Sequence, residues 1–226
     1  MDKMIVYEDD ALLVVHKPAG IATETARIGQ ADIVSELKNY RKKKGEDTYI
    51  GVVHRLDQPV EGLLVFAKNQ NAAKKLTNEL QDGTLTKKYA ALVAGVPAEP
   101  EGELTDYLLK DARTNLSKAV PKDTKGAKEA RLYWRLVRSF ENDNTDAYSL
   151  VEIELFTGRH HQIRVQMSHA SFPLLGDVKY GSGHSRELSR QLGITNTALL
   201  ADKLTFIHPQ SGKKMDFTIP NNFLKT

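Results

Sequence analysis

His54, Arg55 and Asp57 stand close together on a short stretch between two apolar segments. Pro59 interrupts any helix there, and residues 63–66, Leu-Leu-Val-Phe, are typical of a buried strand. The pattern predicts a carboxylate on a bend beside the protein interior, where an unpaired charge is costly. Two interpretations are open: a structural ion pair between Arg55 and Asp57, or a catalytic carboxylate held beside an arginine.

This stretch resembles the signature of the RluA-type pseudouridine synthases, in which a His-Arg-Leu-Asp segment carries the nucleophilic aspartate. Three further segments resemble the same family and occur in the family's order. They are Lys-Tyr-Ala-Ala-Leu-Val-Ala-Gly at 88–95, Gly-Arg-His-His-Gln-Ile-Arg at 158–164 and Leu-Thr-Phe-Ile-His-Pro at 204–209. One such segment would be weak evidence, whereas four in order extend the resemblance over nearly the whole chain.

The resemblance implies an enzyme that converts uridine in RNA to pseudouridine. This reaction breaks the bond from the base nitrogen to ribose carbon 1′, rotates the base and rejoins it through carbon 5. It needs neither redox change nor phosphate energy, so we expect no cofactor, and the sequence has no Gly-x-Gly-x-x-Gly or Walker-type loop. The expected partner is ribosomal or transfer RNA, with its uridine in a loop or a locally opened stem.

The resemblance also assigns roles to individual residues. Asp57 matches the catalytic aspartate, and Arg164 matches the arginine that meets it and keeps it ionised, since a nearby cation favours the charged form. Arg55 resembles the arginine that fills the gap left by the flipped base. Tyr89 resembles the catalytic tyrosine that stacks on the uracil and assists proton transfer. The other residues expected to bind substrate are His54, Lys87, Lys88 and Leu200.

Two departures from the family pattern leave the choice of substrate open. The family more often has Thr-Ser-Gly shortly after the aspartate, whereas this chain has Pro-Val-Glu-Gly at 59–62. It usually places His-Ala before its final strand, whereas this chain reads Leu-Ala-Asp from Leu200. Both departures lie near the expected edge of the pocket, so they bear on which uridine is recognised.

Some residues of the sequence also suggest two other functions. Four histidines, His54, His160, His161 and His169, suggest a metal hydrolase, but the adjacent pair is expected on different helix faces. No His-Glu-x-x-His or comparable spacing occurs, so we expect no metal. A non-catalytic RNA-binding protein built on a degenerate synthase domain is the more serious alternative, and retention of the motif residues argues against it.

The composition suits a cytoplasmic enzyme of one domain. The 226 residues, 40% of them hydrophobic, suit one large domain or two closely joined lobes with a sizeable core, and there is no cysteine for a disulfide or thiolate site. No apolar run approaches the roughly 20 residues of a membrane helix, and no signal-peptide core is apparent. The first hairpin begins a few residues in, so we expect a single catalytic domain over 1–226, a monomer with no RNA-binding domain before it.

Positive charge is modest in sum but clustered along the chain. The net charge is +3, and lysines and arginines gather at 41–44, 74–75, 87–88 and 118–128. Clusters of this kind suit a face that meets phosphate. Each cluster alone is more often a solvated surface, so their functional meaning depends on the motifs above.

The elements predicted around these residues are mostly hairpins with interspersed helices. We predict hairpins over 5–15, 130–156 and 199–219, helices over 31–44, 69–81 and 160–170, and a strand over 88–96. Residues 98–126 are predicted to be irregular, with one short strand near 104–109. This order indicates an α+β protein with a mixed, largely antiparallel sheet and flanking helices, compatible with the pseudouridine synthase fold.

Overall fold

The computed structural model describes residues 2–25, 29–142 and 146–225. The backbone divides into two compact units. The first contains Met1–Lys87 and Ala201–Pro220, and the second contains Lys88–Leu200 and Asn221–Thr226. The prediction of one catalytic domain stays a prediction.

Within the described residues, helices are interspersed among runs of two or more strands. The strands are β1 (Ile5–Glu8), β2 (Leu12–Lys17), β3 (Gly51–Val52), β4 (Glu61–Ala67), β5 (Thr86–Ala94), β6 (Glu101–Asp111), β7 (Leu116–Val120), β8 (Lys128–Glu141), β9 (Ala147–Leu155), β10 (Leu199–Ile207) and β11 (Lys214–Thr218). The helices are α1 (Ile33–Lys43), α2 (Gln70–Asp82), α3 (Gln162–His169) and α4 (Gly183–Gln191), with 3₁₀ turns at Asp2–Met4 and Asn222–Lys225.

The first unit is built on strands that are buried along their length. β2 pairs antiparallel with β1 and β4, and β10 pairs antiparallel with β11. Leu12–Val15 of β2 and the facing stretch of β4 are inaccessible to solvent, which explains their near-continuous apolar sequence. The helix α2 packs on β3 and β4.

Both helices of the first unit begin and end close to where the sequence predicts. The side chains of Asp32 and Asn69 cap α1 and α2 by accepting hydrogen bonds from backbone N–H groups one turn into each helix. Gly83 ends α2 in the left-handed conformation that glycine adopts most readily. The predicted helices over 31–44 and 69–81 are confirmed.

Gly62 lies where two strands of the first unit come very close to each other. It lies at the start of β4, which neighbours β10 in the sheet. A Cβ atom at this position would overlap the side chain and backbone of Ala201. A glycine five residues after Asp57 is therefore needed for these strands to pack.

The second unit is an antiparallel sheet in the order β5-β9-β8-β6-β7. The predicted hairpin over 130–156 is confirmed as β8 and β9, although residues 143–145 of its turn lie outside the described residues. The helix α3 packs on β6 and β7. The predicted α+β class with a largely antiparallel sheet is confirmed.

The prediction for residues 98–126 is wrong in one respect. Instead of one short strand, the segment forms the long hairpin β6–β7. Alternate residues of β6 are exposed, and the exposed ones include Glu101 and Glu103. Acidic residues are depleted in strands, so local preference does not indicate this one, and pairing with β8 across the sheet stabilises it.

No element was predicted for the residues of α4. This helix has the N-cap Ser182 and buries Leu188, but it presents little else that is apolar. Without an apolar stripe, a helix of this length has no periodic signal in the sequence.

No helix among the described residues is both long enough and apolar enough to cross a membrane.

Candidate active site

Asp57 lies at the start of a tight turn between β3 and β4. The N–H of Val60 donates to the carbonyl oxygen of Asp57 at 3.0 Å and closes the turn. The N–H of Gly20 donates to the carbonyl oxygen of Gln58 at 2.8 Å, which connects the turn to the segment after β2. Asp57 is half-buried, as expected for a carboxylate at the edge of the interior.

Lys17 is the buried cation of this turn, and the sequence analysis missed it. Its side chain is inaccessible, and its ammonium donates to the carbonyl oxygens of Pro18 at 3.0 Å, Ile21 at 2.7 Å and Gln58 at 3.2 Å. Burial lowers the pKa of Lys17 to about 8, against the opposing effect of the Asp57 and Glu61 charges. Lys17 therefore holds the residue after Asp57 in place while its positive charge acts on Asp57.

His54 is a neutral, buried residue that connects the motif to β4. Its Nε2 accepts a hydrogen bond from the backbone N–H of Val65 at 3.3 Å, so Nε2 carries no proton. Burial, with a contribution from the Lys87 charge, puts the pKa of His54 well below 6.5. The proton is therefore on Nδ1, which has no hydrogen-bond partner among the described residues.

Arg55 points away from the interior. Its side chain is 67% exposed and forms an ion pair with Glu24 at 3.3 Å. This pairing argues against the interpretation of Arg55 and Asp57 as a structural ion pair. An exposed pair of this kind is weak, so the guanidinium can exchange partners.

Lys87 and Lys88 differ in environment, because adjacent residues of a strand point to opposite faces. Burial lowers the pKa of Lys87 to about 8. Lys88 lies on β5 opposite β9, 3.7 Å from a carboxylate oxygen of Glu152 and 3.4 Å from one of Glu154. The charge of Lys88 is thus partly neutralised within the second unit.

Tyr89 and Leu200 are both buried in the second unit, at 5% exposure each. Tyr89 lies on β5 opposite Ile153 of β9. Leu200 lies near the start of β10.

Arg164 lies in α3 and forms a bidentate ion pair with a residue of the following turn. Its Nε and one terminal nitrogen each lie 2.7 Å from a carboxylate oxygen of Asp177. Both side chains are almost fully buried, at 2% and 0% exposure. Burial opposes ionisation of Asp177, but Arg164 and the N–H groups of Lys179 and Tyr180 outweigh it and lower the pKa of this carboxyl. The sequence analysis missed this partner, because its signal in the sequence, a carboxylate in a turn that contains glycine, is weak.

The α3 helix starts two residues later than predicted. His161 adopts a left-handed conformation, with φ of 56°, directly before the first helical residue. The rings of His160 and His161 stack at 3.7 Å instead of lying on different helix faces, because both precede the helix. Among the described residues, no group of three histidines or carboxylates is arranged to hold a metal ion.

The predicted residues are thus distributed over both units. His54, Arg55, Asp57 and Lys87 belong to the first unit, and Lys88, Tyr89, Arg164 and Leu200 belong to the second. The pairing of Asp57 with Arg164 stays a prediction.

The model of the family described as RNA pseudouridylate synthase matches residues 11–169. The chain belongs to this family. Its members are enzymes that isomerise uridine in RNA, and the predicted family and enzyme class are confirmed.

Bacterial relatives match over almost the whole chain. An uncharacterized RNA pseudouridine synthase of Bacillus subtilis, YlyB, is 34% identical over 97% of this chain and 69% of its own. The tRNA pseudouridine synthase C of Haemophilus ducreyi is 33% identical over 95% and 89%. The ribosomal large subunit pseudouridine synthase D of Zymomonas mobilis is 37% identical over 94% and 67%.

Solved structures support the fold. Human RNA pseudouridylate synthase domain containing 1 superposes with a TM-score of 0.76 at 24% identity, covering 97% of this chain and 83% of that one. Human RNA pseudouridylate synthase domain containing 4 gives 0.77 at 23% identity, covering 99% and 91%. The synthase fold predicted from the sequence is confirmed.

Replacing Lys17 with methionine should destabilise the Asp57 turn. Methionine fills most of the space but removes the ammonium from the carbonyl oxygens of Pro18, Ile21 and Gln58, of which Gln58 keeps the N–H of Gly20 as a donor. We expect the free energy of unfolding to fall by about 1–3 kcal/mol and the pseudouridine-forming rate to fall with it. Denaturant unfolding measures the first effect. Lys42→Met, on an exposed position of α1, is the control, and equal stability of the two variants would contradict the role of Lys17.

Asp177→Asn should destabilise the second unit in a pH-dependent way. Removing one partner of a buried ion pair costs about 3–5 kcal/mol. The pKa of Asp177 in the fold lies below 3.8, so its contribution is complete above that value and is lost as the pH falls through the folded pKa. The difference in unfolding free energy between the native chain and the variant should therefore shrink from pH 7 to pH 3. Asp216→Asn, at an exposed ion pair, should change little at either pH, and a pH-independent difference for Asp177→Asn would contradict the ionised pair.

Proposed function

We propose that this chain is a cytoplasmic, monomeric pseudouridine synthase that isomerises specific uridines in ribosomal or transfer RNA, with Asp57 as its catalytic carboxylate. The relatives named for transfer RNA and for the large ribosomal subunit support these two substrate classes. The observation that carries the proposal is the structure of the turn at Asp57. The buried ammonium of Lys17 and two backbone hydrogen bonds hold this acidic residue at the protein surface.

The Asp57 carboxylate serves the step that breaks the glycosidic bond. The bond from ribose carbon 1′ to N1 breaks, a bond from carbon 1′ to carbon 5 forms, and the proton on carbon 5 leaves while N1 gains one. Lys17 supports this role because its positive charge interacts with the Asp57 carboxylate. Its hydrogen bond to the Gln58 carbonyl also limits movement of the turn, as preorganised catalysis requires.

Arg55 takes the place of the flipped base. Its exposed guanidinium and weak pairing with Glu24 support this role, because RNA can displace the glutamate at little cost. A planar cation can stack on the bases that flank the gap, which offsets part of the energy of flipping.

Three further residues complete the proposed contacts. Tyr89 stacks on the uracil, and Arg164 keeps Asp57 ionised and oriented. His54 donates from Nδ1 to an oxygen of the substrate or to a water molecule on it. The support for His54 is chemical, since a buried N–H without a partner among the described residues is costly until it is satisfied.

The basic cluster at 118–128 binds the RNA backbone. Lys118, Lys122, Lys125 and Lys128 are all exposed. The 41–44 cluster is a weaker candidate, since Arg41 is buried and paired with Glu46, and Lys44 pairs with Glu8 and Glu46. Its positive charge is therefore partly used within the fold.

The test of catalysis is Asp57→Asn, which keeps the shape of the side chain and removes its charge. The assay measures tritium released from ribosomal and transfer RNA labelled at uracil carbon 5, prepared from cells without this gene. We expect RNA binding and folding to persist and tritium release to stop, because asparagine cannot act as the anionic nucleophile.

Asp10→Asn, at an exposed position in the β1–β2 turn, should release tritium at the normal rate. Appreciable release by Asp57→Asn would contradict the mechanism. No release by the native enzyme on any cellular RNA would favour the alternative of a non-catalytic RNA-binding protein.

The test of RNA docking is the triple substitution Lys118→Gln, Lys122→Gln and Lys125→Gln. Each phosphate contact to a single strand adds about 0.7 to the slope of log affinity against log salt concentration. The triple variant should therefore flatten the slope by about 2 and weaken binding, while saturating RNA restores most of the turnover. Lys38→Gln, Lys42→Gln and Lys43→Gln together remove the same charge from α1 and are the control. A flatter slope in the control variant alone would indicate that RNA binds another face of the protein.

A further inference from the structure

Tyr180 occupies the centre of a network that surrounds Arg164 in the second unit. The Arg164 guanidinium carbon lies 5.1 Å from the centre of the Tyr180 ring. Asp177 holds the edge of the same guanidinium through its two carboxylate oxygens. One face and one edge of the arginine are thus defined by residues of a single short turn.

Tyr180 forms hydrogen bonds both through its hydroxyl group and through its backbone. The hydroxyl oxygen accepts a hydrogen bond from the backbone N–H of Ser117 at 2.8 Å and lies 2.7 Å from Nδ1 of His161. The backbone carbonyl accepts from the Ser168 hydroxyl at 2.8 Å, and the backbone N–H donates to Asp177 at 3.2 Å. These hydrogen bonds connect the Tyr180 hydroxyl to β7 and the Tyr180 backbone to α3 and to the turn.

The residues before α3 join the same network. His161 meets the Tyr180 ring edge to face at 5.5 Å and stacks on His160, whose Nδ1 lies 2.8 Å from the Ser117 hydroxyl oxygen. The left-handed conformation of His161 places its ring here instead of on the helix. A strained residue of this kind persists where its surroundings fix it, as these contacts do.

We infer that Tyr180 is a positioning residue that orients the Arg164 guanidinium through its ring, and that the backbone hydrogen bonds of Tyr180 to Ser168 and Asp177 keep this ring next to the arginine. The inference rests on the role proposed above for Arg164. An aromatic face attracts a guanidinium and restricts its tilt, whereas the Asp177 carboxylate alone leaves rotation about the shared edge. A displacement of about 1 Å at a catalytic group can reduce a rate on the order of a hundredfold, so the ring contributes to catalysis without touching the substrate.

The arrangement also places the RNA surface next to this network. Lys118, one of the proposed phosphate contacts, directly follows Ser117 on β7. The hydrogen bond from Ser117 to Tyr180 therefore joins the strand that meets RNA to the residue that orients Arg164.

The test separates the ring from the hydroxyl. Tyr180→Phe keeps the ring and removes the hydroxyl, and Tyr180→Leu removes the ring. Single-turnover rates at saturating RNA are measured with the equilibrium affinity for the same RNA. We expect Tyr180→Leu to lose about 10- to 100-fold in rate with affinity within about twofold, and Tyr180→Phe to keep the rate within about threefold because the ring remains over the guanidinium.

Tyr148→Leu is the control for a merely structural effect. Tyr148 is a buried tyrosine of the same unit, and its ring stacks on Phe140 at 5.0 Å instead of on an arginine. We expect this variant to be destabilised like Tyr180→Leu yet to keep the native single-turnover rate. If Tyr180→Leu does not fold, Tyr180→Met, whose unbranched side chain fills irregular space, takes its place with the same expected rate loss.

Arg164→Met and Asp57→Asn distinguish the two levels of the proposal. If both are inactive while Tyr180→Leu or Tyr180→Met reacts at the native rate, the positioning role of Tyr180 is wrong and the proposed function stands. If Arg164→Met reacts at the native rate, the role of Arg164 itself is wrong. A tenfold or greater loss in Tyr180→Phe would also overturn the inference, since the ring would then not be what orients the arginine.

Discussion

The candidate site depends most on the hydrogen bonds of the buried Lys17 ammonium. A charged group with no solvent access is costly to bury unless its donors are satisfied, and here three backbone carbonyl oxygens satisfy them. Those oxygens belong to two segments, the chain after β2 and the turn that carries Asp57. One buried charge thus fixes the position of the turn and places a positive field beside the carboxylate.

The second unit also buries charged groups, in this case an ion pair. Arg164 and Asp177 are buried together, and their two parallel hydrogen bonds fix one edge of the guanidinium. Tyr180 adds a face to this edge contact and links it to β7 and α3. A buried ion pair adds little net stability over apolar packing, so its retention in the interior is explained better by orientation than by stability.

The sequence indicates the fold well where burial and local preference agree. The apolar runs of β2 and β4, the caps Asp32 and Asn69 and the stop at Gly83 each carry a local signal, and their elements lie close to where it predicts. The β6–β7 hairpin is different, because charged residues on its exposed face hide its alternation and β8 supplies its stability. The helix α4 has too few apolar residues to show a period.

Some residues of the candidate site can likewise be predicted from the sequence, whereas others cannot. Motif resemblance predicts Asp57, Arg55, Tyr89 and Arg164 as site residues, because the four segments have the family's residue types at its spacing, and their roles stay a prediction. It does not identify Lys17, Asp177 or Tyr180, whose roles arise from contacts that spacing along the chain does not show. Lys17 bonds to a carbonyl 41 residues away and Tyr180 to a backbone N–H 63 residues away. Such contacts exist only once the chain has folded.

The most direct measurement for the central claim is a map of pseudouridines in the ribosomal and transfer RNA of cells with and without this gene. The account predicts that one or a few uridines lose the modification in the deletion. A plasmid copy of the native gene should restore them, and a copy carrying Asp57→Asn, expressed at the same level, should not. An unchanged map in the deletion, or full restoration by the Asp57→Asn copy, would contradict the assignment of this chain as an RNA pseudouridine synthase that acts through Asp57.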